Sequence, residues 1–186
     1  MKLAICILSR GACHLNFSMN LFTQFIPSLQ EDGIEVIILP VFPGGDIVRG
    51  RNIAAEKAAT CGVDLALFLD DDIYPDKFSW DVALNSIQRG VDACALDYVQ
   101  RGESFKGVAT RLQLHEEEPP LPVTGGGFIL AKVDAIQRVL SEMGEFSFAR
   151  RVGDHYLADD YSIFYLLHEC KIPYEVHHRR VKHVPI

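Results

Sequence analysis

Residues 65–73 read Leu-Ala-Leu-Phe-Leu-Asp-Asp-Asp-Ile, five apolar residues followed by three carboxylates. A short apolar run that ends in polar residues predicts a buried β-strand. Side chains two positions apart on a strand share a face, so Asp70 and Asp72 can converge while Asp71 points the other way. Because ligands of open α/β sheets bind at the carboxyl ends of the strands, these residues predict a ligand site at that edge.

The rest of the chain fits the same kind of sheet. Apolar runs alternate with segments of helical period through the first half, the pattern of parallel strands joined by crossover helices. The strands are predicted at 2–8, 34–39, 65–69 and 91–96, with helices around 17–29, 51–61, 80–87, 133–143 and 160–169. A glycine turn, 125–127, leads into a short strand, and a late strand, 174–177, leads into a basic tail. We therefore predict one Rossmann-like α/β domain with a mostly parallel sheet, and an irregular connection over 97–122.

Composition narrows the class of protein. The chain has 186 residues and a formal net charge of -7, which argues against a nucleic-acid-binding surface because such surfaces need clustered Lys and Arg. Its five cysteines are an odd number without a C-x-x-C pair, so we expect reduced thiols and a cytoplasmic protein. No apolar stretch approaches the roughly 20 residues of a membrane-spanning helix, so no transmembrane segment is expected.

The acidic residues 70–72 favour a metal site. Carboxylates gathered at one strand end repel one another unless a cation joins them, and hard oxygen ligands suit magnesium or manganese. A calcium loop of the EF-hand type would need glycine where Pro75 stands. A phosphatase with a nucleophilic aspartate is disfavoured by Tyr74 and by the third-strand position. A solvated acidic loop that caps the following helix stays open as an alternative.

Five elements, read in order along the chain, resemble the GT-A glycosyltransferases, particularly the inverting type. The D-x-D element of that family is similar to Asp70-Asp71-Asp72, and its Arg-Asn pair before an Ala-rich helix is similar to Arg51-Asn52. The glycine turn beside the donor sugar resembles Gly125-Gly126-Gly127-Phe128, the acidic pair at the start of a late helix resembles Asp159-Asp160, and the closing histidine resembles His183.

The resemblance implies roles for donor and metal binding. Asp72 would bind Mn²⁺ or Mg²⁺ directly, with Asp70 as a ribose or water-mediated contact and His183 as a nitrogen ligand or phosphate contact. Further contacts to the nucleotide sugar would come from Ser9, Arg10, Arg49, Arg51, Asn52, Asp71, Gly126, Gly127 and Lys182. The arginines and Lys182, together with the metal, would offset the negative charge of the diphosphate.

The resemblance also implies how the acceptor reacts. Asp160 would be the general base that removes the proton from the acceptor hydroxyl, and Asp159 would orient it or contact the acceptor. The commonest form of the family has Glu at the first acid, so Asp159 shortens the reach there.

The predicted function is transfer of a sugar, of the hexosyltransferase type, from a nucleotide diphosphate donor, with UDP favoured, to a glycan or other hydroxyl-bearing acceptor with inversion. Residues 1–186 would form one GT-A-like domain, with 1–96 as the nucleotide-binding half and 97–186 as the acceptor-binding and catalytic half. Two alternatives stay open at this point: a nucleotidyltransferase acting on sugar phosphates, and a non-catalytic module that binds a sugar nucleotide.

Overall fold

The computed structural model of the chain describes residues 1–9, 11, 13–98, 110–114 and 119–183, and at positions 98, 179, 180, 182 and 183 it describes the backbone. Its strands are β1 Lys2–Leu8, β2 Glu35–Val41, β3 Leu65–Asp70, β4 Ile73–Tyr74, β5 Ala93–Tyr98, β6 Thr110–Leu112, β7 Leu121–Val123, β8 Phe128–Lys132, β9 Arg150–Val152, β10 His155–Leu157 and β11 Tyr174–His183. Its helices are α1 Leu15–Asn20, α2 Ile26–Glu31, α3 Ile47–Thr60, α4 Lys77–Gln88, α5 Val133–Met143 and α6 Asp159–Glu169; a π-helical turn, Leu21–Phe25, joins α1 to α2.

Seven strands form one sheet in the order β2-β1-β3-β8-β5-β11-β4. The β1–β2, β1–β3 and β5–β11 pairs are parallel, whereas β8 runs antiparallel to both β3 and β5, and β4 runs antiparallel to β11. The predicted Rossmann-like α/β architecture is therefore confirmed, with antiparallel neighbours where β8 and β4 join the sheet.

Both faces of the sheet are covered, because side chains alternate along each buried strand. On one face Ala66 and Phe68 pack with α3, α5 and α6. On the other face Leu67 and Leu69 pack with the helices between β1 and β2 and with α4, including Trp80. Asp70 continues the series of Ala66 and Phe68, so its side chain emerges on the α3 and α6 side.

Helix α3 lies close to the sheet because it presents small residues. Ala54, Ala55 and Ala58 are completely buried against the strands. A Cβ atom at Gly50 would lie 2.7 Å from Pro43 Cγ, so the preceding loop packs directly on the first turn. Asp46 caps the helix by accepting a hydrogen bond from Arg49 N at 2.9 Å. This packing sets the position of Arg51.

The structure corrects several predicted boundaries. Helix α3 begins at Ile47 rather than at Arg51, since the capping residue is Asp46. The residues predicted as a basic tail continue β11 to His183, with a register shift between His177 and Val181. Two paired strands, β6 and β7, interrupt the connection predicted as irregular, and the antiparallel hairpin β9–β10 was not predicted. Residues 99–109 and 115–118 of the predicted connection lie outside the described residues.

None of the described helices combines the length and the apolar character that a membrane crossing requires.

Candidate active site

The acidic segment lies at the carboxyl edge of the sheet, between β1 and β8. Asp71 N donates a hydrogen bond to Leu8 O at 3.2 Å, and Asp70 N donates one to Gly127 O at 3.1 Å. Leu8 pairs with Asp70 on one side and with Val41 on the other, so the ends of three strands are level. The predicted position of residues 70–72 at this edge is therefore observed, and the glycine turn 125–127 lies beside them.

A buried arginine joins this segment to the far end of the chain. The Arg51 side chain is 1% exposed. Its Nη2 lies 2.6 Å from Asp160 Oδ1 and 3.7 Å from Asp70 Oδ2, and its Nε lies 3.1 Å from Asp159 Oδ2. Its Nη1 donates a hydrogen bond to Gly126 O at 3.0 Å. One guanidinium thus brings together carboxylates that the sequence separates by about half of the chain.

The absence of a side chain at Gly126 makes this arrangement possible. A Cβ atom there would lie 2.1 Å from Arg51 Nη1 and 2.5 Å from Arg51 Cζ, far inside normal contact distances. The group that approaches this glycine closely is the buried guanidinium, and the contact with a donor sugar that the resemblance implies stays a prediction. Arg51 is thereby enclosed by protein acceptors, and the direct contact with the donor phosphates that the resemblance implies stays a prediction.

The three carboxylates around Arg51 give the site an excess of negative charge. Burial, with the neighbouring charges of Asp160, Asp72 and Asp159, raises the pKa of Asp70 to about 6, although Arg51 acts in the opposite direction. Burial also raises the pKa of Asp160, while Arg51 and a hydrogen bond with the Gly126 backbone partly oppose the change. A site with these properties favours an added cation, which would remove the mutual repulsion of the carboxylates.

Asn52 contacts a loop rather than the cleft. Its Oδ1 accepts hydrogen bonds from Phe146 N at 2.6 Å and Ser147 N at 3.0 Å, and its Nδ2 donates one to Ser147 O at 2.8 Å. Ser147 Oγ in turn donates to Asp159 O at 3.1 Å. Both polar atoms of the Asn52 side chain are thus bound to this loop, and the donor contact that the resemblance implies stays a prediction.

The other predicted donor residues are distributed along the same edge. Ser9 N donates to Val41 O at 3.1 Å, and Ser9 Oγ accepts from Gly11 N at 3.3 Å. Arg49 is exposed in the first turn of α3, whereas Arg10 lies outside the described residues. The last strand brings the C-terminal residues here, because Lys182 pairs with Tyr74 and His183 pairs with Ile73.

Asp71 is separated from the other two acids. Its charge contributes to a raised pKa of Cys13, after the larger effect of burial, which places it on the α1 side of the sheet. The charge of Asp72 instead contributes to the raised pKa of Asp70. Strand β3 ends at Asp70 and residues 71–72 form a turn, so the alternation predicted for three consecutive strand residues does not extend beyond Asp70.

Several contacts at the site were missed by the sequence reasoning. Ser162 Oγ accepts from Phe148 N at 2.9 Å and donates to Asp159 O at 2.8 Å, which holds the start of α6. Phe42, the residue after β2, is 56% exposed at the same sheet edge. A lone serine or phenylalanine carries no motif, so only its spatial neighbours identify it.

The donor set fits a hard divalent cation. Asp70 Oδ1 is buried and has no hydrogen-bond partner among the described residues, so one ligand atom stands available beside Asp72. No group of three His, Cys, Asp or Glu side chains forms a complete metal site within the described residues. Magnesium sites commonly use one or two carboxylates, with substrate phosphates completing the coordination, and this arrangement agrees with that pattern.

Comparisons with known proteins identify the fold. No family model matches the chain, and no curated protein matches its sequence. A197 from STIV is similar in structure, with a TM-score of 0.60 and 18% identity over 96% of this chain and 82% of that one. Residues 1–349 of TarS from S. aureus give a TM-score of 0.58 and 12% identity over 99% of this chain and 60% of that one.

Enzymes of two classes, glycosyltransferases and nucleotidyltransferases, share this architecture. A Drosophila β1,4-galactosyltransferase 7 variant in complex with manganese, UDP-Gal and xylobiose gives a TM-score of 0.54 and 11% identity, over 94% of this chain and 64% of that one. The 4-diphosphocytidyl-2C-methyl-D-erythritol synthase from Anaerococcus prevotii gives a TM-score of 0.52 and 11% identity, over 97% of this chain and 89% of that one. The chain therefore has the GT-A fold, which nucleotide-sugar transferases and nucleotidyltransferases have in common.

Proposed function

We propose that this chain is a metal-dependent glycosyltransferase that moves a sugar from a nucleoside diphosphate donor, with UDP favoured, to an acceptor hydroxyl with inversion. The proposal depends on one observation: the guanidinium of Arg51 contacts both the Asp160 carboxylate, at 2.6 Å, and the Asp70 carboxylate, at 3.7 Å. A candidate base and a candidate metal-binding segment thus share one cleft, as a reaction between acceptor and donor requires.

The donor is proposed to lie along the carboxyl edge of the sheet. Its diphosphate would lie at Asp70 and Asp72, with Arg49, Lys182 and His183 supplying positive charge. Leu8 pairs with both Val41 and Asp70, so these two residues lie two strand spacings, roughly 10 Å, apart. A nucleoside extending from the diphosphate toward β2 would therefore bring its base over Ser9 and the exposed ring of Phe42.

A divalent cation, Mn²⁺ or Mg²⁺, is proposed to be held by Asp72 and Asp70, with His183 beside it. When bound, the cation would stabilise the negative charge that develops on the departing nucleoside diphosphate. The chain itself keeps the ligand oxygens in position, since the Asp70 backbone is bound to Gly127 O and its side chain lies next to buried Arg51.

Asp160 is proposed to remove the proton from the acceptor hydroxyl. Arg51 binds Oδ1 and so fixes the orientation of the carboxylate that would accept the proton. Burial raises the pKa of Asp160 and so increases its basicity, while the charge of Arg51 favours the ionised form. Asp159 is held by Arg51 Nε and orients the start of α6, so it supports the base or contacts the acceptor.

The proposed division of the chain follows from these positions. Residues 1–96 would form the nucleotide-binding half of one 1–186 domain, and 97–186 the acceptor-binding and catalytic half. The cysteines Cys6, Cys13, Cys61, Cys94 and Cys170 are all free thiols, which supports the proposed cytoplasmic location.

The test is manganese-dependent release of UDP from UDP-sugars by the wild-type chain and by Asp72→Ala. We expect the variant to lose at least ~100-fold in rate, as for removal of a strong electrostatic contact to the transition state. Asp134→Ala is the matched control, because Asp134 is an exposed acid in the first turn of α5, at the opposite edge of the sheet. Equal metal-dependent turnover in wild type and Asp72→Ala would refute the proposed metal site.

The alternative functions are separated by their products once a nucleoside triphosphate and a sugar phosphate are supplied as well. Nucleotidyltransferases share this fold. A nucleotidyltransferase would release pyrophosphate from a nucleoside triphosphate and a sugar phosphate. A binding module would raise its melting temperature with a nucleotide and manganese, yet release neither product.

A further inference from the structure

The helix that carries the proposed base has one partly exposed aromatic strip. In α6 the residues Ser162, Ile163, Phe164, Leu166 and Leu167 are buried, whereas Tyr161 and Tyr165 are partly exposed. These tyrosines are four residues apart and therefore lie on the same side of the helix. The charge of Asp160 contributes, after burial, to a raised pKa of Tyr161, so the strip begins next to the base.

The strip leads to a cavity of about 170 Å³. Its lining residues come from three parts of the 97–186 region: Leu114 after β6, Tyr165 of α6, and Val152, Gly153, Asp154 and His155 of the β9–β10 hairpin. The same hairpin continues directly into Ala158 and the Asp159-Asp160 pair. The hairpin that lines the cavity is thus joined by a short segment to the helix that carries the proposed base.

The aromatic wall of the cavity is held in place by its neighbours. The Tyr165 ring meets the ring of Phe148 edge to face, with centroids 5.9 Å apart and an angle of 79°. The Arg150 guanidinium lies 4.2 Å from the centroid of the same Phe148 ring. A ring fixed in this way presents apolar surface at a small entropic cost on binding.

The lining selects a class of ligand. It combines an aromatic ring and aliphatic side chains with one carboxylate and one imidazole, which accept and donate hydrogen bonds. Neither Lys nor Arg lines it, so an anionic group such as a phosphate would lack a fixed positive partner among the described residues. A neutral ring with one apolar face and several hydroxyl groups meets these requirements.

We propose that this cavity binds a second sugar ring of the acceptor, beyond the ring that carries the reacting hydroxyl. The inference rests on the proposed function and names its acceptor class as an oligosaccharide. Tyr165 follows Asp160 by five residues, which places it roughly 7.5 Å farther along the helix and about 140° around it, with Tyr161 between the two positions. The first ring would pass Tyr161 and the second would contact Tyr165, with hydroxyl groups bound by Asp154 and His155.

The experiment titrates the ¹⁵N-labelled full chain, with magnesium and UDP present, with lactose, maltose, cellobiose and N,N′-diacetylchitobiose. We expect at least one disaccharide to shift the amide signals of Gly153, Asp154 and His155, and to bind more tightly than its component monosaccharide. Tyr165→Leu should weaken that binding about tenfold, the loss expected for a stacked aromatic contact. Tyr165→Phe, which keeps the ring, should bind as the wild type does.

The controls separate this inference from the proposed function. Tyr156→Leu is the matched control, because Tyr156 is 65% exposed and is not among the residues that line the cavity. If Tyr165→Leu fails to fold, Asp154→Asn carries the test, since Asp154 is exposed and should also weaken binding. The inference is overturned if no disaccharide shifts these amides, or if Tyr165→Leu (or Asp154→Asn in its place) binds as tightly as Tyr156→Leu. Binding of UDP and magnesium, followed in the same samples, reports on the donor site alone.

Discussion

A methyl group added at Gly126 is expected to destabilise the protein strongly, for a reason that depends on one neighbour. The Cβ atom of Gly126→Ala would lie 2.1 Å from Arg51 Nη1 and 2.5 Å from both Cζ and Nη2. The guanidinium would have to move by roughly 1 Å to restore normal contact distances. It is 1% exposed and bound to Asp159, Asp160 and the Gly126 carbonyl, so the movement breaks hydrogen bonds that nothing replaces.

The magnitude follows from those contacts. Loss of one or two hydrogen bonds to charged groups costs about 1.5–3 kcal/mol each, and overpacking of a buried site adds about 1–3 kcal/mol. We therefore expect Gly126→Ala to lower the free energy of unfolding by ~3–5 kcal/mol. In an Arg51→Ala background the clash is absent, so the same substitution should cost less than ~1 kcal/mol.

The assay is urea unfolding at pH 7 of the wild type, both single variants and the double variant. Arg51→Ala alone should cost ~3–5 kcal/mol, because three partly buried carboxylates lose their common cation. Trimethylamine N-oxide in all four samples keeps the least stable variants folded. The reasoning is refuted if Gly126→Ala is neutral in the wild type, or equally costly in both backgrounds, because the double-mutant cycle would then contain no coupling between the two residues.

Three further predictions concern the same edge of the sheet. Asp70→Asn should raise the free energy of unfolding without metal at pH 7 by at most ~3 kcal/mol. The pKa of Asp70 is raised from 3.8 to about 6, so ionisation of Asp70 destabilises the folded protein as pH rises through that range. Urea midpoints of the two proteins without divalent ions should converge near pH 4, and a wild-type advantage at pH 7 would contradict this sign. Phe42→Leu should weaken UDP binding about tenfold in calorimetric titrations while leaving binding of manganese pyrophosphate unchanged, whereas Phe78→Leu, with a ring that is similarly exposed on α4, should bind UDP normally. Asp160→Asn should keep its affinity for UDP and manganese but lose at least ~100-fold in kcat for transfer, and an unchanged kcat would exclude it as the base.

The amino-acid sequence determined the elements that depend on local pattern. The apolar run at 65–69 predicted β3, and the Ala-rich stretch 51–61 predicted a helix, most of α3. The acidic pair Asp159-Asp160 predicted the start of α6, where the helix dipole favours negative charge. These elements can be predicted from the sequence because strand period, helix period and the residues favoured in the first turn of a helix all depend on residues close together in the chain.

The tertiary structure alone decided how those residues are used. The sequence placed Arg51 and Asn52 among the donor contacts, but burial gives Arg51 to Asp159, Asp160 and Gly126, and gives Asn52 to the loop before β9. These partners lie far away in the chain, and no local sequence pattern indicates which acceptors a buried guanidinium will contact. Long-range packing brings them together, because a charge that leaves water must be satisfied by whichever acceptors the fold supplies.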